Sequence, residues 1–253
     1  MNSAHPPGSG WMGQSRRWRT LMASRSITRL IVVVAAAMTL ATAVARAHSL
    51  EELQDKLFKD EKYYQPLDKP APDFTLGDAD GKVVRFAGFR GKVVVLHFIY
   101  ASCPDVCPLH ADRIAEIQKM INQTPMKARV QFISISTDPE HDTPEILRGY
   151  GPAHGLDDVN WLFLTALPDQ PKDITRELVE AYGHKFKRTE GSRLVHGVVT
   201  HVIDKEGRQR GNFHGLDFAN VSLVMLVNAL TNDIQRPHHR QERSLWDKLK
   251  ALF

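Results

Sequence analysis

From residue 49 onward, short apolar runs alternate with stretches of helical period. In Ser49–Lys59, Leu50, Leu53 and Leu57 recur at helical spacing and predict a short amphipathic lead-in helix. Pro66, Pro70 and Pro72 then predict an extended linker. Asp73–Leu76 and Val83–Phe86 flank Gly77-Asp78-Ala79-Asp80-Gly81 and predict a β-hairpin. Lys92–Tyr100 holds a continuous β-branched apolar run, the pattern of a strand covered on both faces. Ile114, Ile117 and Ile121 set a helix over Val106–Ile121, and Arg129–Thr137 reads as a second buried strand. Thr143-Pro144 opens another helix, with Thr as N-cap and Pro at the first helical position. Trp161–Thr165 predicts a strand, and Pro171–Tyr182 a helix ended by Gly183. Val198–Asp204 and Gln209–Phe213 form a second hairpin around Lys205-Glu206-Gly207, and Phe218–Ile234 is the last long helix.

Strands alternating with helices indicate a three-layer α/β fold around a partly parallel sheet, with hairpins adding antiparallel character at both ends. At 253 residues, 42% hydrophobic and 25% charged, the chain can bury a full core, which argues against a disordered or polytopic membrane chain.

The formal charge of +4 changes meaning once it is located. Residues 1–47 hold six of the 33 Lys and Arg and no acid, so the rest carries 27 basic against 29 acidic side chains. The body is slightly acidic, which excludes a nucleic-acid footprint. The Arg-rich leader precedes the apolar run Leu30–Val44 and ends in Ala45-Arg46-Ala47, the arrangement of a secretory signal peptide. The run falls short of the roughly 20 residues needed to span a bilayer, so an uncleaved membrane anchor is the weaker reading. Cleavage before His48 places the domain outside the cytosol, in a periplasmic, oxidising setting.

Only two cysteines occur, Cys103 and Cys107, in Ser102-Cys103-Pro104-Asp105-Val106-Cys107-Pro108. Their spacing at a strand-to-helix junction predicts two sulfurs on one face of the first helical turn. A helix N-terminus there favours thiolates and lowers the thiol pKa. Such a pair can cycle between dithiol and disulfide or hold a soft metal such as copper. A structural disulfide closing so short a loop would stabilise little. Two thiolates leave Cu(II) short of nitrogen donors. His196, in the loop before the Val198–Asp204 strand, is the leading third ligand by context. His110 and His214 are rivals, while His201 reads as a satisfied sheet residue. Asp138, Glu140 and Asp142 alternate near a turn, but Asp142 is more simply a helix-start residue than a calcium ligand.

The cysteine segment, preceded by Phe98 and Tyr100, resembles the copper-binding motif of the Sco/SenC family. The run from Ile133 to Glu145, the strand Trp161–Thr165 and Leu194-Val195-His196 continue the resemblance, which covers roughly Lys69 to Asp233. It implies a thioredoxin-like fold and copper, as Cu(I) or Cu(II), held by Cys103, Cys107 and His196. It also implies a metallochaperone role in assembling the dinuclear copper centre of cytochrome c oxidase, with the copper-accepting subunit as partner. Beside the histidine the chain departs from the family pattern: Val195 stands where an Asp is usual, and Gly197 where Ser or Thr is common. The expected organisation is a leader or anchor over 1–47, a lead-in over 48–68, a thioredoxin-like Sco domain over 69–235 and a basic tail over 236–253.

Two further functions compete. A thiol–disulfide oxidoreductase would use Cys103 and Cys107 as its redox pair to reduce the cysteines of a copper-accepting protein. A peroxidase on the same scaffold is weaker, because neither cysteine follows a Pro-x-x-x-Thr-x-x-Cys arrangement.

Overall fold

The computed structural model describes residues 50–103, 106–171, 173–185, 187–188, 194–195 and 197–232. The leader 1–47, the tail 236–253 and His196 lie outside the described residues, and with them the leader, tail and third-ligand expectations.

The elements run in chain order as α1 (Leu50–Asp60), β1 (Tyr64–Pro70), β2 (Thr75–Asp78), β3 (Val83–Arg85), β4 (Val93–Ile99), α2 (Val106–Asn122), β5 (Val130–Ser136) and α3 (Pro144–Ala153). They continue with β6 (Trp161–Thr165), α4 (Ile174–Ala181), β7 (Lys187–Arg188), β8 (Leu194–Val195), β9 (Val199–Ile203), β10 (Arg208–His214) and α5 (Asn220–Thr231). Eight strands form one sheet in the order β1-β10-β9-β4-β5-β6-β2-β3, while β7 and β8 pair as a separate two-stranded ribbon. The centre is parallel: β4 runs with β5 from Val93↔Val130 to Ile99↔Ser136, and β5 with β6. The flanking pairings are antiparallel.

Every residue of β4 and β5 is buried, as their continuous apolar runs require when both faces are covered. Alternation then sorts β4 between two cores. Val93, Val95 and Ile99 face a core built with α2, α5, α1 and α3 through Ile114, Ile117, Leu226, Leu57 and Leu147. Val94, Leu96 and Phe98 face a smaller core with Leu76, Phe86, Leu178 and Val179. Helices on both faces of a mixed sheet make the three layers. Among the described residues no helix is long and apolar enough to cross a membrane.

Three local expectations change. The proline-marked linker is β1, an edge strand paired with β10 from Tyr64↔Phe213 to Pro70↔Arg208, with a register shift between Pro66 and Lys69. Prolines are tolerated there because an edge strand can do without some N–H donors. α4 starts at Ile174 rather than Pro171, though Gly183, at φ 95°, does close the segment. α5 starts at Asn220, two residues after Phe218, whose fully buried ring packs on Phe213 at 5.0 Å between centroids.

Candidate metal centre

The site forms where the central strand β4 ends. Tyr100 turns the chain, its carbonyl accepting the Cys103 N–H at 3.2 Å, and α2 begins at Val106. Cys103 therefore precedes the helix, and only Cys107 belongs to it, which corrects the expectation of two cysteines on one helical turn. Both are reduced thiols and both are buried, at 6% and 5% exposure. Cys107 starts the core-facing stripe of α2 that continues through His110, Ala111, Ile114 and Gln118.

That burial reverses the expected electrostatics. The Cys107 thiol is pushed up to about 12, first by loss of solvent around the thiolate. A backbone hydrogen bond at Tyr100 pulls the other way, while the neighbouring Cys103 side chain and the Asp142 carboxylate add to the rise. A helix terminus lowers a thiol pKa in a partly solvated setting; here desolvation outweighs it. The reduced pair is consequently protonated at neutral pH on the Cys107 side.

Asp142, 1% exposed, lies against the cysteine turn. The Ala101 N–H donates to both of its oxygens, at 3.0 and 3.2 Å, and the Ser136 hydroxyl donates to Oδ2. Burial raises its pKa, opposed by those two hydrogen-bond donors. Thr143 caps α3 beside it, its hydroxyl oxygen accepting the Ile146 N–H at 3.5 Å, with Pro144 at the first helical position as the sequence predicts. Tyr150, from the same helix, donates its hydroxyl to the Cys107 carbonyl at 3.3 Å. Its own pKa is raised by burial and then by the two cysteines. Sequence reading missed both groups as parts of this site. The helix-start pattern marks Asp142 as a cap, but nothing in it shows the carboxylate reaching back 41 residues to Ala101.

The histidines separate clearly. His110, a rival ligand by proximity, is 1% exposed, with Nε2 2.8 Å from the Thr200 hydroxyl on β9. His214, the other rival, is exposed at the end of β10 and shares a 3.0 Å hydrogen bond with Gln65. His201 is buried in the sheet, its Nδ1 2.8 Å from Asn212 Oδ1 and its Nε2 2.8 Å from His184 Nε2, the satisfied sheet residue expected. His97 on β4 is fully buried and its imidazole is pushed down to about 3, chiefly by burial. The ribbon β7–β8 ends at Val195, directly before His196. Among the described residues no three His, Cys, Asp or Glu side chains gather as a metal cluster. Asp138 instead engages His141 at 2.8 Å and Asp142 engages the cysteine turn, so the alternating acids serve local structure. A cleft of about 480 Å³ runs along α2, lined by Asp112, Lys119, His154 and Asp157 among others, and neither cysteine lines it.

Comparison with known proteins places the fold. An SCO2-like protein of Rickettsia prowazekii is 27% identical over 206 residues, covering 79% of this chain and 96% of that one. A SCO1/SenC family lipoprotein from Bacillus anthracis has a similar structure, with TM-score 0.59 and 26% identity over 66% of this chain and 97% of that one. The ScoI protein of Bradyrhizobium japonicum, solved with copper bound, matches at TM-score 0.52 and 26% identity over 63% and 98% of the respective chains. The three-layer fold is thus thioredoxin-like. The SCO1/SenC family model matches residues 63–229, spanning the central sheet, the cysteine turn and the Asp142 loop, and the chain belongs to that family.

Proposed function

We propose that the protein is a copper metallochaperone of the cell envelope that binds one copper ion through Cys103, Cys107 and His196. The receiving partner is the copper-accepting subunit of cytochrome c oxidase, whose dinuclear centre it helps to assemble, as the family resemblance implies. The observation that carries this reading is the pair of buried, unbridged thiols, Cys103 just before α2 and Cys107 in its first turn. Thiolate sulfur is a soft donor suited to Cu(I), and coordination deprotonates a thiol even when its pKa is high. Copper loading forms two Cu–S bonds and releases the thiol protons to solvent. The copper-bound ScoI relative supports the same assignment.

The thiol–disulfide oxidoreductase is the alternative. A thiol raised to about 12 is almost wholly protonated at neutral pH, which disfavours Cys107 as an attacking nucleophile. Metal binding must displace the same proton, but the Cu–S bond formed drives that release. The acid-free leader supports export, with the mature chain starting at His48.

The test is metal analysis of the reduced full chain after addition of Cu(I) and removal of excess. One copper per chain is expected, lost in Cys103→Ser and in Cys107→Ser. Equally tight, stoichiometric binding in the double serine variant would overturn the proposal.

A further inference from the structure

The cysteine turn is backed by a buried carboxyl group. Asp142 is all but inaccessible to water, and its carboxylate is fixed by the Ala101 N–H, two residues before Cys103, and by the Ser136 hydroxyl. Among the described residues no Lys or Arg pairs with it: its hydrogen-bond donors are one backbone amide and one hydroxyl, and the nearby His141 ring is engaged with Asp138 at 2.8 Å. A site selected only to hold a cation-bearing dithiolate as tightly as possible gains nothing from an anion behind it. Two thiolates around one Cu(I) already carry a net charge of −1. A buried carboxylate held against the turn that leads into Cys103 repels it, and in a poorly solvated site the repulsion is strong.

We propose that Asp142 tunes the affinity of the cysteine pair downward, so that copper is held firmly enough to carry and loosely enough to hand over. This rests on the copper reading above. Asp142 is a positioning residue in the same stroke, because the carboxylate that supplies the charge also holds the Ala101 N–H and hence the turn. The two roles predict opposite outcomes when charge and hydrogen bond are separated. In Asp142→Asn the side-chain carbonyl can still accept the Ala101 N–H while the group carries no charge.

The experiment is competition for Cu(I) between the full-length reduced protein and a chromophoric Cu(I) chelator. Asp142→Asn should bind Cu(I) at least about tenfold more tightly than the parent and release it more slowly to the chelator. Ser136→Ala keeps the carboxyl group and removes one of its two donors, and should bind Cu(I) less tightly than Asp142→Asn. Thermal unfolding of both variants distinguishes a change in binding from a loss of fold. Unchanged or weaker Cu(I) binding in a folded Asp142→Asn protein overturns the inference while leaving the copper function intact. Absence of Cu(I) binding by the parent overturns the copper function itself.

Discussion

The imidazole of His110 and the hydroxyl of Thr200 meet at 2.8 Å inside the core, joining the helix that carries Cys107 to the strand that follows His196. His110 lies one helical turn past Cys107, and Thr200 is fully buried on β9, paired with His97 across the sheet. The ring of His110 packs on that of His97 with centroids 4.7 Å apart, so it cannot turn freely toward the cysteines. A side chain with this employment braces the helix against the sheet.

Thr200→Val removes the hydroxyl without changing the shape and leaves a buried imidazole nitrogen without that partner. Stability should fall by about 1–3 kcal/mol, measured by urea unfolding, and Thr200→Ser should restore most of it.

The raised Cys107 thiol makes stability depend on alkaline pH. Between the ordinary thiol value of 9.0 and about 12, the unfolded chain loses this proton while the folded chain keeps it. The reduced protein should therefore lose stability progressively as pH rises through that window. The disulfide form has no thiol to ionise, and its denaturation midpoint should be flatter over the same range.

On the acid side the control passes to His97. Its imidazole is held near 3 against an ordinary 6.5, so below 6.5 only the unfolded chain takes up this proton. Stability should drop by about 1.4 kcal/mol per pH unit for this group as pH falls toward 3. His201, lowered well below 6.5 by burial and by His184, adds a slope of the same sign. Chemical denaturation at pH 7 and pH 5 should show a smaller difference in His97→Gln than in the parent.

His196→Ala should weaken Cu(II) binding by about tenfold or more and alter its charge-transfer spectrum, because an imidazole supplies the nitrogen donor Cu(II) prefers. Formation of the Cys103–Cys107 disulfide needs only sulfur and should persist in the variant. If oxidase assembly in cells is restored as well by the variant as by the parent, metal delivery through this ligand set is wrong and the reductase reading gains.

The sheet is legible in the sequence wherever burial is total. β4 and β6 announce themselves as apolar runs, and β6 begins and ends at Trp161 and Thr165 as expected. Thr143-Pro144 likewise marks the start of α3 by local chemistry alone. β1 is obscured because Pro66 and Pro70 carry a local turn signal, whereas their extended pairing depends on β10, more than 130 residues onward. The cysteine pair is legible as a site, but its electrostatics are not. Whether a thiol at a helix start is ionised depends on how deeply the helix sinks into its core, and the spacing of Cys103 and Cys107 carries no information on that depth. Asp142 and Tyr150 reach the site only through tertiary packing of α3 beside β6.

The same prolines have an effect at the border of the molecule. β1 closes one side of the eight-stranded sheet, and beyond it no further strand pairs among the described residues. Pro66 and Pro70 break its ladder of N–H donors, and the register shift before Lys69 bends it. At the opposite border β3 is three residues long, with Val83 and Arg85 exposed. A second molecule arriving at either side finds too few aligned donors to extend the sheet, which closes off strand-by-strand growth into fibres.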